Sequence, residues 1–428
     1  MKEFDRIIGY TAEKKELEQI ADCLRNSEVY KNLGVSAPCG LLLYGEPGVG
    51  KTLMSDCLIK ASGRKAFVCR KNKPNGEFVN EITKTFEQAQ KNAPSIVFLD
   101  DMDKYANEDD RHPDAEEYVT VQSCIDNIKG KDVFVLATAN DVYRLPRSLR
   151  REGRFDRLLE IGAPKGADAA AIISHYLEGK SLADDIDREY ISRLMEGDSC
   201  ARLETLINEA GVYAGYDRAD KITMQHFMRA YLISEYGADY TDDCDHCNSS
   251  INISDTVWHE AGHTVVSEVL YPGSVTLVSV SGIGPGKNGF TSYKNINNIL
   301  PIEYGKIRAV GALAGSAAIE QKLGVPGCGA SIDYSQAFRT VRRLVENDCI
   351  CGFHLHESPA NDSEMLLSSI EQATAAKIEE YYRKAKEILA LNSDLLEKIA
   401  SALAEKKLLT APEIQEIKNG CAVVSVGL

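Results

Sequence analysis

One stretch constrains this chain more than any other: Gly45-Glu46-Pro47-Gly48-Val49-Gly50-Lys51-Thr52. A short apolar run, Gly40 to Tyr44, leads into it, and Leu53 to Lys60 follows with helix-forming composition. Strand, glycine-rich loop and helix form the setting in which G-x-x-x-x-G-K-T acquires a physical meaning. Backbone N–H groups at the helix N-terminus can cradle phosphates there. Lys51 reaches the β- and γ-oxygens, and Thr52, with Leu53 beside it, ligates Mg2+.

A phosphate loop needs a sheet behind it. Two further buried-strand patterns, Ile96 to Leu99 and Val133 to Ala137, are separated by helix-forming segments, the alternation expected of a parallel α/β sheet. Residues 1–163 are therefore expected to form a three-layer nucleotide-binding domain. The strand ending at Leu99 runs into Asp100 and Asp101. Asp100 would hold Mg2+ through water, and Asp101 would orient the attacking water.

After Ala163-Pro164-Lys165-Gly166 the strand-like runs cease. Leu203, Leu206, Ile207 and Ala210 have the spacing of one apolar helix face, so residues 164–236 are expected to be a small helical lid. Residues 237–250, acidic and polar, read as a linker, and the CxxC of Cys244 and Cys247 as part of it. A third domain, 251–428, has one strand-like stretch at Val275 to Val280 and long amphipathic helix from Glu364 to Ile417, so it is expected to be mainly α-helical.

Length agrees, since 428 residues exceed what one core usually supports. The excess of 64 Asp+Glu over 49 Lys+Arg, a net charge of -15, opposes general attraction to nucleic acid or anionic lipid. Twelve scattered cysteines fit free thiols in a reducing compartment. The first residues are charged, and no run of about 18 apolar residues occurs. The expectation is a cytoplasmic protein without direct membrane insertion and without a nucleic-acid partner.

The second chemical signature is His259-Glu260-Ala261-Gly262-His263. Two imidazoles at i and i+4 share a helical face and can reach one Zn2+, with Glu260 placed as general base. With eight histidines in the chain, a chance match is expected about 0.01 times, so coincidence is a poor explanation. One protein ligand is left to find, and Asp333, His354, His356, Glu320 and Glu357 are the downstream candidates.

The phosphate loop with Asp100 and Asp101 resembles the AAA+ ATPases, and the likeness continues beyond them. Asn140 follows the strand Val133 to Ala137 where that family places its polar sensor of the γ-phosphate. Gly153-Arg154-Phe155-Asp156-Arg157 looks like the region whose two arginines act on a neighbouring subunit's nucleotide, which requires a ring. Ile8 and Gly9 occupy the place of the adenine-contacting segment. Asp101 departs from the family's usual Glu, and the shorter side chain implies slower hydrolysis.

With HEAGH included, the chain resembles the FtsH family of AAA+ zinc proteases from Phe4 to about Ile417, lacking that family's membrane-spanning N-terminus. The family's third ligand is an aspartate in a Gly-Ala-Ser-x-Asp context, and this chain reads Gly329-Ala330-Ser331-Ile332-Asp333. The resemblance thus implies Asp333 as ligand, Glu320 as a packing residue, and Gly289 to Tyr293 as an edge strand for substrate. It also implies a fold: an α/β P-loop AAA+ domain with a small helical lid, then a mainly α-helical zincin-type peptidase domain. The implied activity is a homohexameric ATP-dependent zinc metalloendopeptidase on polypeptide substrates, using Zn2+, ATP and Mg2+. The family's aromatic pore loop falls on Pro74-Asn75-Gly76, where Phe78 is the one nearby aromatic that could replace it. Two rivals remain: a remodelling ATPase with a non-proteolytic base, and a peptidase using nucleotide only for assembly.

Overall fold

The computed structural model describes residues 2–35, 38–71, 77–106, 115–151, 153–237, 253–280, 289–294, 300–325, 330–356 and 364–428. The chain divides into two compact units, 1–223 and 224–428.

In the first unit, helices α1 (Thr11–Arg25) and α2 (Ser27–Asn32) precede the first strand. Five strands then build the sheet: β1 (Gly40–Tyr44), β2 (Lys65–Arg70), β3 (Ser95–Asp100), β4 (Val133–Ala139) and β5 (Arg157–Glu160), in the order β2-β3-β4-β1-β5 and all parallel. The three strands expected from sequence are the central ones, buried along almost their whole length. The edge strands β2 and β5 were not foreseen: β5 has only Leu158 and Leu159 between charged residues, and the run Ala66 to Cys69 of β2, although apolar, is mostly not buried.

Three helices connect these strands, α3 (Lys51–Ser62), α4 (Glu77–Lys91) and α5 (Ala115–Asn127). Leu42, Val97, Leu99, Val135 and Ala137 share one core with Phe78, Ile82 and Phe86 of α4 and Val121 and Ile125 of α5. The alternate residues Leu41, Leu43, Ile96, Phe98 and Leu136 are buried on the other face, where α3 contacts β1 and β4 and α1 packs on α3. Phe78 is fully buried, edge-on to Tyr105 at 4.9 Å, so it is a core residue and not a substitute gripping aromatic. The loop expected to grip substrate, Pro74-Asn75-Gly76, lies outside the described residues.

The lid helices are α6 (Gly166–Leu177), α7 (Arg188–Leu194) and α8 (Cys200–Tyr216). Leu203, Leu206, Ile207 and Ala210 of α8 are buried as their spacing predicts. Helix α9 (Met224–Tyr236) falls in the second unit, and the linker with Cys244 and Cys247 lies outside the described residues.

The second unit is mainly helical: α10 (Ile253–Leu270), α11 (Pro301–Leu323), α12 (Ser331–Glu346), α13 (Glu364–Leu391), α14 (Ser393–Lys406) and α15 (Ala411–Asn419). A small antiparallel sheet, β6 (Val275–Ser279), β7 (Phe290–Tyr293) and β8 (Leu408–Thr410), has the order β7-β6-β8. Strand β8, embedded between helices, is too short to leave a periodic signature and was not foreseen.

Helices α10 and α11 approach closely because small residues face each other. A Cβ on Gly262 would come within 2.6 Å of Ala314 O and of the Ala318 Cβ. Pro301 starts α11 and Gly324, in the left-handed region, ends it. Among the described residues no helix is long and apolar enough to cross a membrane.

Candidate functional site

The phosphate loop leaves β1 at Tyr44 and enters α3 at Lys51. Lys51 is buried, and its ammonium donates to Gly45 O at 2.6 Å, Glu46 O at 2.8 Å and Asn140 Oδ1 at 2.9 Å. The last bond joins the loop to the end of β4, so Asn140 stands at the lysine of the loop. Burial pulls the Lys51 ammonium below its ordinary pKa, opposed by Asp101, Asp103 and Asp100. Thr52 and Leu53 are exposed in the first turn of α3, and Pro47 and Gly48 at the tip of the loop.

The lid closes on this loop. Ala201 N, at the start of α8, donates to Gly48 O at 3.0 Å, and the Cys200 thiol faces Val49 O. Half-buried Gly9 packs on Asp168 in the first turn of α6, Ile8 is half-buried beside it, and Tyr10 Oη donates to Gly162 O at 2.9 Å. The segment expected to touch adenine therefore runs along the seam between sheet and lid.

Asp100 is almost fully buried at the end of β3. Its Oδ1 accepts from Thr138 Oγ1 at 2.7 Å, and its Oδ2 from both Nε (2.8 Å) and Nη2 of Arg70. Asp101 has a left-handed backbone (φ 51°), donates its N–H to Thr138 Oγ1 and receives Lys104 Nζ on Oδ2 at 2.6 Å. The buried Asp100 carboxylate and the exposed Thr52 hydroxyl are hard-oxygen donors of the kind Mg2+ takes. Neither Thr138 nor Arg70 was anticipated. Thr138 had a signal, being the only polar side chain in the run of β4; Arg70 had none, since its strand β2 was itself not foreseen.

The two arginines differ. Arg154 is buried: its Nη2 reaches Asp126 at 2.7 Å and its Nη1 donates to Ser148 O at 2.6 Å. Arg157, first residue of β5, is exposed. Asp156 is used structurally, accepting the N–H groups of Cys39 and Gly153.

In the second unit, α10 carries His259, Glu260 and His263, and the first turn of α12 carries Asp333. Their donor atoms converge, with His259 Nε2, His263 Nε2 and Asp333 Oδ2 all within 4.8 Å of one another. His259 Nε2 lies 3.0 Å from Asp333 Oδ2, and the two Nε2 atoms are 3.0 Å apart. His263 Nδ1–H donates to Gly311 O at 2.7 Å, which fixes the tautomer and leaves Nε2 as the ligand. Gly315 supports the other imidazole, since a Cβ there would stand 2.5 Å from His259 Cε1 and Nδ1. Two nitrogens and one oxygen, oriented from behind, fit Zn2+.

Burial works against ionisation of Asp333, but the His259 and His263 imidazoles beside it overcome that and hold the carboxyl below its usual range. Burial pushes the Glu260 carboxyl up, and the two imidazoles and Thr291 bring it part of the way back. Thr291 Oγ1 donates to Glu260 Oε2 at 2.7 Å.

Among the described residues the other ligand candidates do not join this group. Glu320 binds Lys386 Nζ at 2.8 Å and Tyr382 Oη at 2.6 Å, a strut between α11 and α13. His354 is exposed, His356 Nδ1 donates to Glu346 O, and Glu357 lies outside the described residues, as does Gly329.

A phosphate loop on a five-stranded parallel sheet with a helical lid, and a two-histidine, one-aspartate centre further on, define the class: a P-loop ATPase continued by a zincin-type peptidase domain. Residues 41–163 match the ATPase family associated with various cellular activities (AAA). Proteins similar over nearly the whole chain include FtsH proteins. The chain is 29% identical to the ATP-dependent zinc metalloprotease FtsH of Caldicellulosiruptor bescii, over 97% of its own length and 71% of the relative's. It is also 29% identical to FtsH 3 of Symbiobacterium thermophilum, covering 97% and 70%, and 27% identical to FtsH 3 of Synechocystis, covering 97% and 72%. The resemblance to FtsH proteases is borne out, and so is the fold class that it implied.

Proposed function

We propose that this chain is an ATP-dependent zinc metalloendopeptidase that unfolds and cleaves polypeptide. The observation that carries the reading is the convergence of His259, His263 and Asp333 beside buried Glu260, in a chain that also carries a complete phosphate loop. The names of its relatives agree. Zinc held by these three residues would polarise the scissile carbonyl and acidify water. Glu260 accepts the proton of the attacking water and returns it to the leaving amine.

On the nucleotide side, Lys51 engages the β- and γ-phosphates of ATP, Thr52 and Asp100 serve Mg2+, and Asn140 senses the γ-phosphate through its place beside Lys51. Asp101 orients the attacking water. Arg157, exposed at the start of β5, acts on a neighbouring subunit's nucleotide, and Arg154 braces the wall from which it projects. An arginine acting in trans requires a ring, so the working assembly is a homohexamer. The functional divisions are 1–163 for nucleotide, 164–236 for the lid and 251–428 for peptide hydrolysis, with 237–250 as linker. Nine described cysteines are free thiols, which favours the cytoplasm.

The test is zinc content and casein cleavage measured together. Asp333→Ala loses most of its zinc and its proteolysis, whereas Glu260→Gln keeps zinc and loses cleavage by at least about a hundredfold, as for a removed general base. Full zinc in the first variant, or cleavage by the second, would overturn these assignments.

A further inference from the structure

The general base is held from a direction that the HEAGH motif does not disclose. Glu260 is 5% exposed, and Thr291, whose hydroxyl donates to its Oε2, belongs to a different element, β7. That strand is one of the two outer strands of its sheet, with Thr291 opposite Val278 of β6. Gly289, just ahead of it, lies against the same carboxylate: a Cβ there would stand 2.9 Å from Glu260 Cγ and Oε1. Both ends of the strand are braced. Phe290 stacks on Tyr236 with ring centroids 4.0 Å apart, and the Arg308 guanidinium sits over Tyr293 at 4.5 Å.

A buried glutamate can rotate its carboxylate about the last torsion, which is broad and roughly two-fold. One hydroxyl on one oxygen removes that freedom and leaves the other oxygen to exchange the proton. We propose that Thr291 is a positioning residue for peptide hydrolysis, binding Oε2 of Glu260 so that Oε1 takes the proton from water and delivers it to the amine. The hydroxyl keeps its own proton throughout. This rests on the peptidase reading above. Among the described residues β7 pairs with β6 alone, and because an extended polypeptide can pair with such an edge, substrate binding and base alignment share one backbone segment.

Thr291→Val preserves shape and removes the donor; Thr291→Ser keeps the donor on a smaller side chain. Both are assayed as the full chain on a fluorogenic peptide, with zinc content and ATP hydrolysis measured on the same preparations. Thr291→Val is expected to lower kcat by about tenfold to a hundredfold, the scale of a misplaced catalytic group. Its KM should stay within about twofold, with zinc and ATP hydrolysis unchanged, and Thr291→Ser should recover most of kcat. Undiminished kcat in the valine variant, equal losses in both variants, or loss of zinc in the valine variant would overturn the positioning role alone. A zinc-loaded wild-type chain that leaves the peptide intact would instead overturn the peptidase reading and this proposal with it.

Discussion

His259 keeps its ring in place because the residue facing it has no side chain. Gly315 sits on α11 with its α-carbon turned to that imidazole, and the space a methyl group would need is occupied. Gly315→Ala must therefore push His259 or α11 aside. The ligand geometry then loosens although no ligand has changed, and zinc affinity should fall about tenfold to a hundredfold, the range for disturbed ligand support. Competition with a chromophoric chelator measures this directly; wild-type affinity would mean that the ring moves without penalty. Nothing in the sequence marked Gly315, Gly311 or Thr291 as partners of HEAGH, because each acts from a separate element. The three converging side chains themselves were legible: His259 and His263 from helical spacing, Asp333 from the resemblance. Motifs record what one element presents, not what another element places behind it.

At the scale of elements, Arg154 and Arg157 show how a shared motif separates into two tasks. Arg154 ties the segment before β5 to α5 through Asp126 and satisfies Ser148 O, whereas Arg157 points to solvent. Arg154→Ala should destabilise the first unit by about 1.5–3 kcal/mol, the scale of hydrogen bonds to a charged group. Arg157→Ala should leave stability unchanged and slow ATP hydrolysis by about a thousandfold or more, as for an arginine lost in trans. Denaturant unfolding and ATPase rates on both variants test the split, and the reverse pattern would contradict it.

A pH signature follows. Hydrogen bonds from Arg154 and Lys129 hold the Asp126 carboxyl far below its ordinary value, a depression on folding. Such a group adds stability that is complete above the unfolded pKa of about 4 and is lost as pH falls through the lower folded value. Arg154→Ala should therefore flatten the acid-side slope of stability below about pH 4. Elements were legible where burial is continuous, as in β1, β3 and β4. They were hidden where a strand is an edge or only three residues long, as in β2, β5 and β8.

For the whole molecule the central claim is that two chemistries on separate stretches of the chain, one beginning at Gly45 and the other at His259, serve one process. The phosphate loop, Asn140 and Arg157 have the features of hydrolysis and not merely of binding, and the metal centre keeps its base. On the proposed reading Asp101 should slow hydrolysis without abolishing it, because a carboxylate one methylene shorter can still polarise water, only from a poorer position. The most direct measurement is casein degradation by the zinc-loaded full chain under three conditions: with Mg2+ and ATP, with a non-hydrolysable ATP analogue, and with ATP plus a zinc chelator. Rapid degradation in the first condition alone is the result predicted. Equal degradation with the analogue would show that nucleotide only assembles the protein, and ATP hydrolysis with no casein cleavage under any condition would show that the metal centre is not a peptidase.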